Sequence, residues 1–544
     1  VQAVILDNNW IWFENITDIE DTILFNEFSV SVDKIYIDSN QMGQWDGIYR
    51  KYNRAKKRMA RPLLSLLKQV CKRRELPLVI DDRRGPWEVS ITPQEDITAN
   101  FLPGIILDDY QVNGIRKAAL PGCECGIFDV PTGGGKTELL AGICKAINCP
   151  TIILADQTVV VDQIKERLEL REVGGEIGMF YAGRRPNGQA IVVGSISSLT
   201  APAKPPEPPT RKPEEKDAAW AKRLEKWEIA LKGWKTRRKN VKFLKEYVKR
   251  AEMLIVDECD RATSDPYKNV FRNLFRGRRR FGFSGTVFDP SKVVERLELQ
   301  ESLGSVIYKV ERSELERLGR IIPCEYRMIP YGMEGSIHES STYDIAYNEH
   351  IVRSPRYHNN LISLCKLLDK DNDGTLLLVD REELGLALKA LADQVGIPAE
   401  YVYGKTPQSK RKKIFEAFEK REIRLLIGGK IINRGFDLKG GCENMILAVA
   451  GKLQSEMLQK IGRALRRNKY GLSHIYDSLF RCNKYLWDHS KEHLRTMVNA
   501  GYKCVIAFPG GLLDGKEFVE KRFRIPKEYL QKKVTVQENN TGGA

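Results

Sequence analysis

Phe128-Asp129-Val130-Pro131-Thr132-Gly133-Gly134-Gly135-Lys136-Thr137-Glu138 joins an apolar approach to a helical run that continues through Leu139 and Ile143. Glycine at 133, 134 and 135 lets backbone N–H groups turn inward and come close to phosphate oxygens. The helix that follows adds the positive end of its dipole. Lys136 is then placed to reach the terminal phosphates of a nucleotide, and Thr137 to ligate Mg²⁺. Val130 stands where the usual pattern has glycine or alanine, while the Pro-Thr-Gly-x-Gly-Lys-Thr core is intact.

Outward from this loop, short apolar runs alternate with helical stretches from Leu107 onward. The runs lie at 151–155, 191–193, 253–256, 375–379, 425–427 and 445–449. Strands alternating with helices predict parallel sheets with right-handed crossovers, and so much of the pattern predicts two such domains. With 544 residues the chain is too long for one domain. The run at 253–256 ends in Asp257 and Glu258. A carboxylate at a strand end suits a Mg²⁺ shell, and one a residue further on can polarise an attacking water.

Charge narrows the partners. The chain has 88 basic and 72 acidic residues, a net +16, and a basic protein of this kind meets a polyanion. Residues 50–74 hold eleven Lys or Arg and no acid, and residues 211–250 hold fifteen basic against six acidic. In the first cluster Pro62 starts a helix whose apolar positions are Leu63, Leu66, Leu67, Val70 and Cys71. That leaves Lys68 and Lys72 on its wet face, and Arg50, Lys51 and Arg54 just before it, as candidate nucleic-acid contacts. In the second cluster residues 202–213 are proline-rich and read as extended, and 218–250 read as one long helix. Trp220, Leu224, Trp227, Leu231 and Trp234 make an apolar stripe along that helix. The stripe must pack on something: the chain's own domain, a short antiparallel segment, or a protein partner or second copy.

No apolar run is long enough for a membrane span, and the first ten residues carry no secretory pattern. The eleven cysteines lack a CxxC pair and read as reduced cytosolic thiols. These features predict a cytoplasmic protein with no metal beyond Mg²⁺.

In chain order, Lys136-Thr137, Asp257-Glu258-Cys259-Asp260, Ser284-Gly285-Thr286 and Gln459-Lys460-Ile461-Gly462-Arg463-Ala464-Leu465-Arg466 resemble the motifs of superfamily 2 helicases. Leu107-Asp108-Asp109-Tyr110-Gln111 is similar to the glutamine motif that reads adenine there. Gly428-Gly429-Lys430-Ile431-Ile432-Asn433-Arg434-Gly435-Phe436-Asp437 is similar to the fifth motif. Residues 347–352, Arg356 and the helix after them resemble the phage UvsW-type and XPB-like branch. So do Trp45-Asp46-Gly47 and the basic segment that follows. Asp260 departs from the histidine of many relatives, and the insertion at 201–250 has no counterpart.

The resemblance implies an α/β chain of two tandem RecA-like domains, parallel sheets flanked by helices, behind a small α+β N-terminal domain. The expected bounds are 1–97, 98–315, 316–515 and a tail at 516–544. It implies Mg·ATP held by Gln111, Gly133, Gly134, Gly135, Lys136, Thr137, Asp257 and Asp437, with Thr137 and Asp257 at the metal. Glu258 is the expected base. Gln459 positions water, Arg463 and Arg466 act as arginine fingers from the second domain, and Ser284 and Thr286 couple the site to nucleic acid. The expected activity is ATP-dependent unwinding or remodelling of branched DNA. An RNA helicase and an ATP-switched binding scaffold that unwinds nothing are the alternatives.

Overall fold

The computed structural model describes all residues except 32–45, 182, 201–203, 212, 214–215, 286–292, 333–341, 370–371, 430–440, 450, 452–467 and 527–544. The chain folds as two units that part between Val310 and Glu311, with Thr132–Gly134 grouped with the second.

The first unit is built on a seven-stranded parallel sheet. Its order is Gly178–Phe180, Ile191–Ser195, Thr151–Ala155, Met253–Asp257, Arg279–Ser284, Cys125–Asp129 and Val306–Lys309. Neighbours are registered in parallel throughout, so helical crossovers cover its faces. Thr151–Ala155 has the expected bounds, and Met253–Asp257 runs one residue further, onto the first carboxylate. Arg279–Ser284 is a strand that periodicity hides, because Arg279 and Arg280 are both buried within it.

The amino-terminal residues form a second, five-stranded sheet in the same unit, ordered Tyr52–Asn53, Arg58–Ala60, Trp10–Glu14, Gln2–Ile5 and Val79–Asp82. The basic helix runs Leu64–Arg73 behind a 3-10 turn at Arg61–Leu63, with Pro62 inside that turn. Leu63, Leu67, Val70 and Cys71 face the sheet, as the spacing predicts. The expected separate domain at 1–97 does not stand apart. Leu297 of the helix Val293–Leu303 enters its core. Glu124 lies buried between Arg61, Arg84 and Arg278. Ser90–Ile91 pairs with Ile147–Asn148 as a two-stranded ribbon.

The insertion is a helix of 34 residues, Asp217–Arg250, with only Val241, Leu244 and Val248 buried. These three sit at its carboxyl end, and Leu244 and Val248 join the core around Leu254 and Val256.

The second unit has an eight-stranded sheet: Ala399–Val402, Leu425–Gly428, Thr375–Val379, Asn444–Ala448, Ser473–Phe480, Cys324–Tyr331, Lys503–Phe508 and Gly511–Asp514. All pairings are parallel except the last. Its helix Arg312–Arg317 belongs to this unit and not, as expected, to the first. The expected tail at 516–544 also starts too early. Phe518 and Phe523 are buried in the second unit's core, on and just beyond the helix Gly515–Glu520.

Candidate functional site

The site is built at the carboxyl ends of the first unit's parallel strands, where crossovers leave a crevice. Cys125–Asp129 feeds the glycine loop, and Lys136–Ala146 leads away from it. Gly133 and Gly135 have φ of 90° and 70°, the left-handed region that glycine enters freely. Gly135 is the cap of the helix, and it has a second constraint. A Cβ there would lie 2.4 Å from Gln111 Nε2. Gln111 is buried at the start of the helix Asp109–Ala119, and its Oε1 accepts from the Asp108 N–H at 2.9 Å. Gln111 is thus set against the loop and closes a capping box with Asp108.

Lys136 Nζ donates to Glu258 Oε1 at 3.0 Å, joining the loop to the end of Met253–Asp257. Burial alone would lower the Lys136 pKa, but Glu258, Asp257 and Asp260 together raise it, so the ammonium stays charged. Glu258 has φ 50°, a left-handed position for a residue with a side chain, which stores strain beside the carboxylates. Cys259 is fully buried, and burial pushes its thiol well up, ahead of the nearby carboxylates. A Cβ at Gly282 would meet its Sγ at 2.8 Å, so Cys259 is a packed residue. Ser284 Oγ donates to Asp260 Oδ1 at 3.2 Å, tying the end of Arg279–Ser284 to the acidic motif. Among the described residues no cluster of His, Cys, Asp and Glu forms a closed metal cage. Thr137 and Asp257 are both only partly buried. One carboxylate and one hydroxyl suit Mg²⁺, which keeps waters and takes the rest of its shell from phosphate oxygens.

Sequence reading missed the brace beneath the loop. Glu138 is buried and accepts from Arg167 Nη1 at 2.8 Å and from Arg171 Nε and Nη2 at 2.9 and 3.0 Å. Arg171 also donates to the Pro103 carbonyl at 2.9 Å. A glutamate one residue beyond Thr137, in a first turn already held by Lys136, is the signal that was available.

The candidate nucleic-acid residues divide. Lys51 is buried and paired with Glu301 at 2.8 Å, so its charge holds the amino-terminal sheet to the helix Val293–Leu303. Arg54 pairs with Asp21, and exposed Arg50 with Asp46. Lys68 and Lys72 are exposed, as the helix pattern predicts, with no ion pair among the described residues. Thr286, Asp437, Gln459, Arg463 and Arg466 lie outside the described residues, as does Trp45.

A glycine loop between a parallel strand and a helix, facing a strand that ends in two carboxylates, defines a phosphate-loop nucleotide-binding protein. Residues 104–289 match the family described as the res subunit of type III restriction enzymes, and residues 359–468 match the helicase conserved C-terminal domain. The two matches, one in each unit, support a superfamily 2 helicase. It is 24% identical over 68% of its length to a protein of Sulfolobus islandicus filamentous virus that bears a helicase name, covering 64% of that protein. It is 22% identical over 71% of its length to the DNA 3'-5' helicase XPB of Mycobacterium tuberculosis, covering 63% of it. The chain thus spans less than two thirds of these relatives. Phage T4 UvsW is similar in structure, with 15% identity, a TM-score of 0.42, and coverage of 93% of this chain and 98% of that one. Among the described residues no helix is long and apolar enough to cross a membrane.

Proposed function

We propose that this chain is an ATP-driven DNA helicase or translocase that unwinds or remodels branched DNA such as forks, junctions and displacement loops. The observation that carries the reading is the 3.0 Å contact between Lys136 and Glu258 at the glycine loop. It puts a phosphate-binding cation and a base for water at one point. The loop N–H groups and Lys136 bind the phosphates, and Thr137 and Asp257 hold Mg²⁺. Bound Mg²⁺ neutralises charge on the terminal phosphate oxygens. A phosphate that draws Lys136 away frees Glu258 Oε1 to accept a proton from water. Ser284 relays the state of the acidic motif along its strand through Asp260. Gln459, Arg463, Arg466, Asp437 and Thr286 are assigned by their motifs: water positioning, charge stabilisation, nucleotide contact and coupling.

DNA is preferred over RNA because the mycobacterial relative is named a DNA helicase, and the choice of branched DNA follows the UvsW-type motifs. The net charge of +16 suits either polyanion. A mobile four-way junction tests the whole reading. The wild type should convert it to duplex arms with ATP, while Glu258→Gln should bind it and leave it unchanged. Hydrolysis stimulated by DNA with no strand displaced or branch moved would reject unwinding in favour of a switched scaffold.

A further inference from the structure

The inserted helix Asp217–Arg250 is too long for what it buries. At about 1.5 Å per residue it extends on the order of 50 Å, yet none of its residues before Val241 is buried. Its carboxyl end is fixed. Leu244 and Val248 enter the core, and Tyr247 Oη accepts from the Gly188 N–H at 2.8 Å.

The tryptophan stripe is not bare. Trp220, Leu224, Trp227, Leu231 and Trp234 are all half-buried, and so are Pro206 and Pro209 of the proline-rich lead-in. Arg237 Nε donates to the Thr200 carbonyl at 3.2 Å, Trp227 Nε1 to Pro206 at 3.0 Å, and Arg223 to Thr210 at 3.2 Å. Arg211 pairs with Asp217. Partner numbers fall on the helix as they rise on the strap, so the strap runs antiparallel along it. Proline-rich chain is extended in advance and lies well on aromatic side chains. The apolar stripe is therefore taken by the chain itself.

What faces outward is charge. The helix holds twelve Lys or Arg and four Asp or Glu, a net +8. Lys232, Lys235, Lys239 and Lys242 are spaced three, four and three apart, hence on one face, and all are exposed. Among the described residues none of the four has a carboxylate partner. Glu228 and Glu246 flank them, and Glu246 is paired with Lys249. This face has no part in the nucleotide site.

We propose that the helix is an arm whose lysine face, led by Lys232, Lys235, Lys239 and Lys242, grips the phosphate backbone of duplex DNA outside the ATP-driven core. Four lysines in a row fit a uniformly charged backbone, and with the stripe half-covered by the strap, Ile229 and Phe243 are the large apolar side chains the helix leaves exposed. The proposal rests on the nucleic-acid reading above and adds a second point of hold. A fixed grip beside a core that binds and releases with each turnover would keep the substrate from leaving between steps.

The test uses the full chain with Lys232, Lys235, Lys239 and Lys242 all changed to Gln, and with all four changed to Arg. Lys, Gln and Arg have similar helix propensities, so the helix should persist by circular dichroism. The Gln variant should keep the hydrolysis rate measured without nucleic acid. Its affinity for plain duplex DNA should fall about tenfold or more near 0.1 M salt, with a log–log salt slope shallower by about 2 to 4, at about 0.9 for each lost phosphate contact. The Arg variant should keep the wild-type slope. A Gln variant with wild-type affinity and slope overturns the proposal, and so does weaker binding with an unchanged slope, which would mean that these lysines do not meet phosphates. If wild-type hydrolysis ignores nucleic acid, the helicase reading fails instead. The arm is rejected on its own when hydrolysis is stimulated and the Gln variant still binds as the wild type does.

Discussion

Glu258 and Glu138 are carboxylates of opposite use. Glu258 is strained, partly exposed and paired with a lysine that phosphate can claim, so Glu258→Gln should retain Mg·ATP binding. It should lose about 10²–10⁴-fold in turnover, the range for a positioned base. Steady-state hydrolysis beside nucleotide-binding titration checks this, and near wild-type turnover would remove Glu258 from the role. Glu138 is buried between two arginines and serves the scaffold. Glu138→Ala leaves buried Arg171 without its carboxylate, a loss of about 3–5 kcal/mol for a broken buried pair. The first unit's urea midpoint should fall accordingly, and an unchanged midpoint would contradict the brace. Lys136, Asp257 and Glu258 were legible because each stands in a short local motif, the glycine loop or the carboxylates at a strand end, although 122 residues separate Lys136 from Glu258. The Glu138–Arg171 pair spans 33 residues, and only folding brings it together.

Among the elements, strands buried on both faces were the easiest to read, since a parallel strand is an unbroken apolar run. Thr375–Val379 has the expected bounds for that reason. Arg279–Ser284 did not look like one, because Arg279 spends its charge on the Ala118 carbonyl and the Trp87 ring, and Arg280 on Asn9. The arm helix was legible in extent, but not the strap that covers its tryptophans, because a proline-rich stretch has no periodicity to match against a partner. Changing Pro205 and Pro206 to Gly should loosen the strap and speed proteolysis within 201–216. Cleavage at the wild-type rate would mean that the prolines do not hold it. In the second unit His493 Nδ1 contacts Asp477 at 2.7 Å, and the Tyr326 hydroxyl donates to the same carboxylate at 2.5 Å. Burial would lower the His493 pKa, but Asp477 raises it overall. Its folded value lies above the unfolded one, so its stabilisation is complete below about pH 6.5 and is lost as pH rises through the folded value. The stability gap between wild type and His493→Gln should therefore be wider at about pH 6 than at about pH 9. A gap that widens with pH would contradict the assignment.

At the scale of the molecule, the amino-terminal sheet was legible as a patterned basic module but not as part of the first unit. The contacts that fuse it, Lys51 to Glu301 and three arginines to Glu124, use basic residues that in sequence look free for a polyanion. Burial would raise the Glu124 pKa, yet Arg84, Arg61 and Arg278 hold it below the usual carboxylate range. Removing residues 1–97 would leave that carboxylate buried without two of its three partners and uncover Leu297. The shortened chain should therefore lose solubility or cooperative unfolding; a soluble, cooperative product would show the sheet to be a separate domain after all. The two mainly parallel sheets and the loop between strand and helix were legible as a whole, since an unbroken apolar run marks most of the buried strands and a short glycine motif marks the loop. What they serve is measured most directly by hydrolysis. ATP turnover compared across no nucleic acid, single-stranded DNA, plain duplex, fork, four-way junction and RNA should rise with DNA and most with the branched forms. Turnover that is indifferent to every nucleic acid, or that rises with RNA alone, would contradict a DNA-remodelling motor.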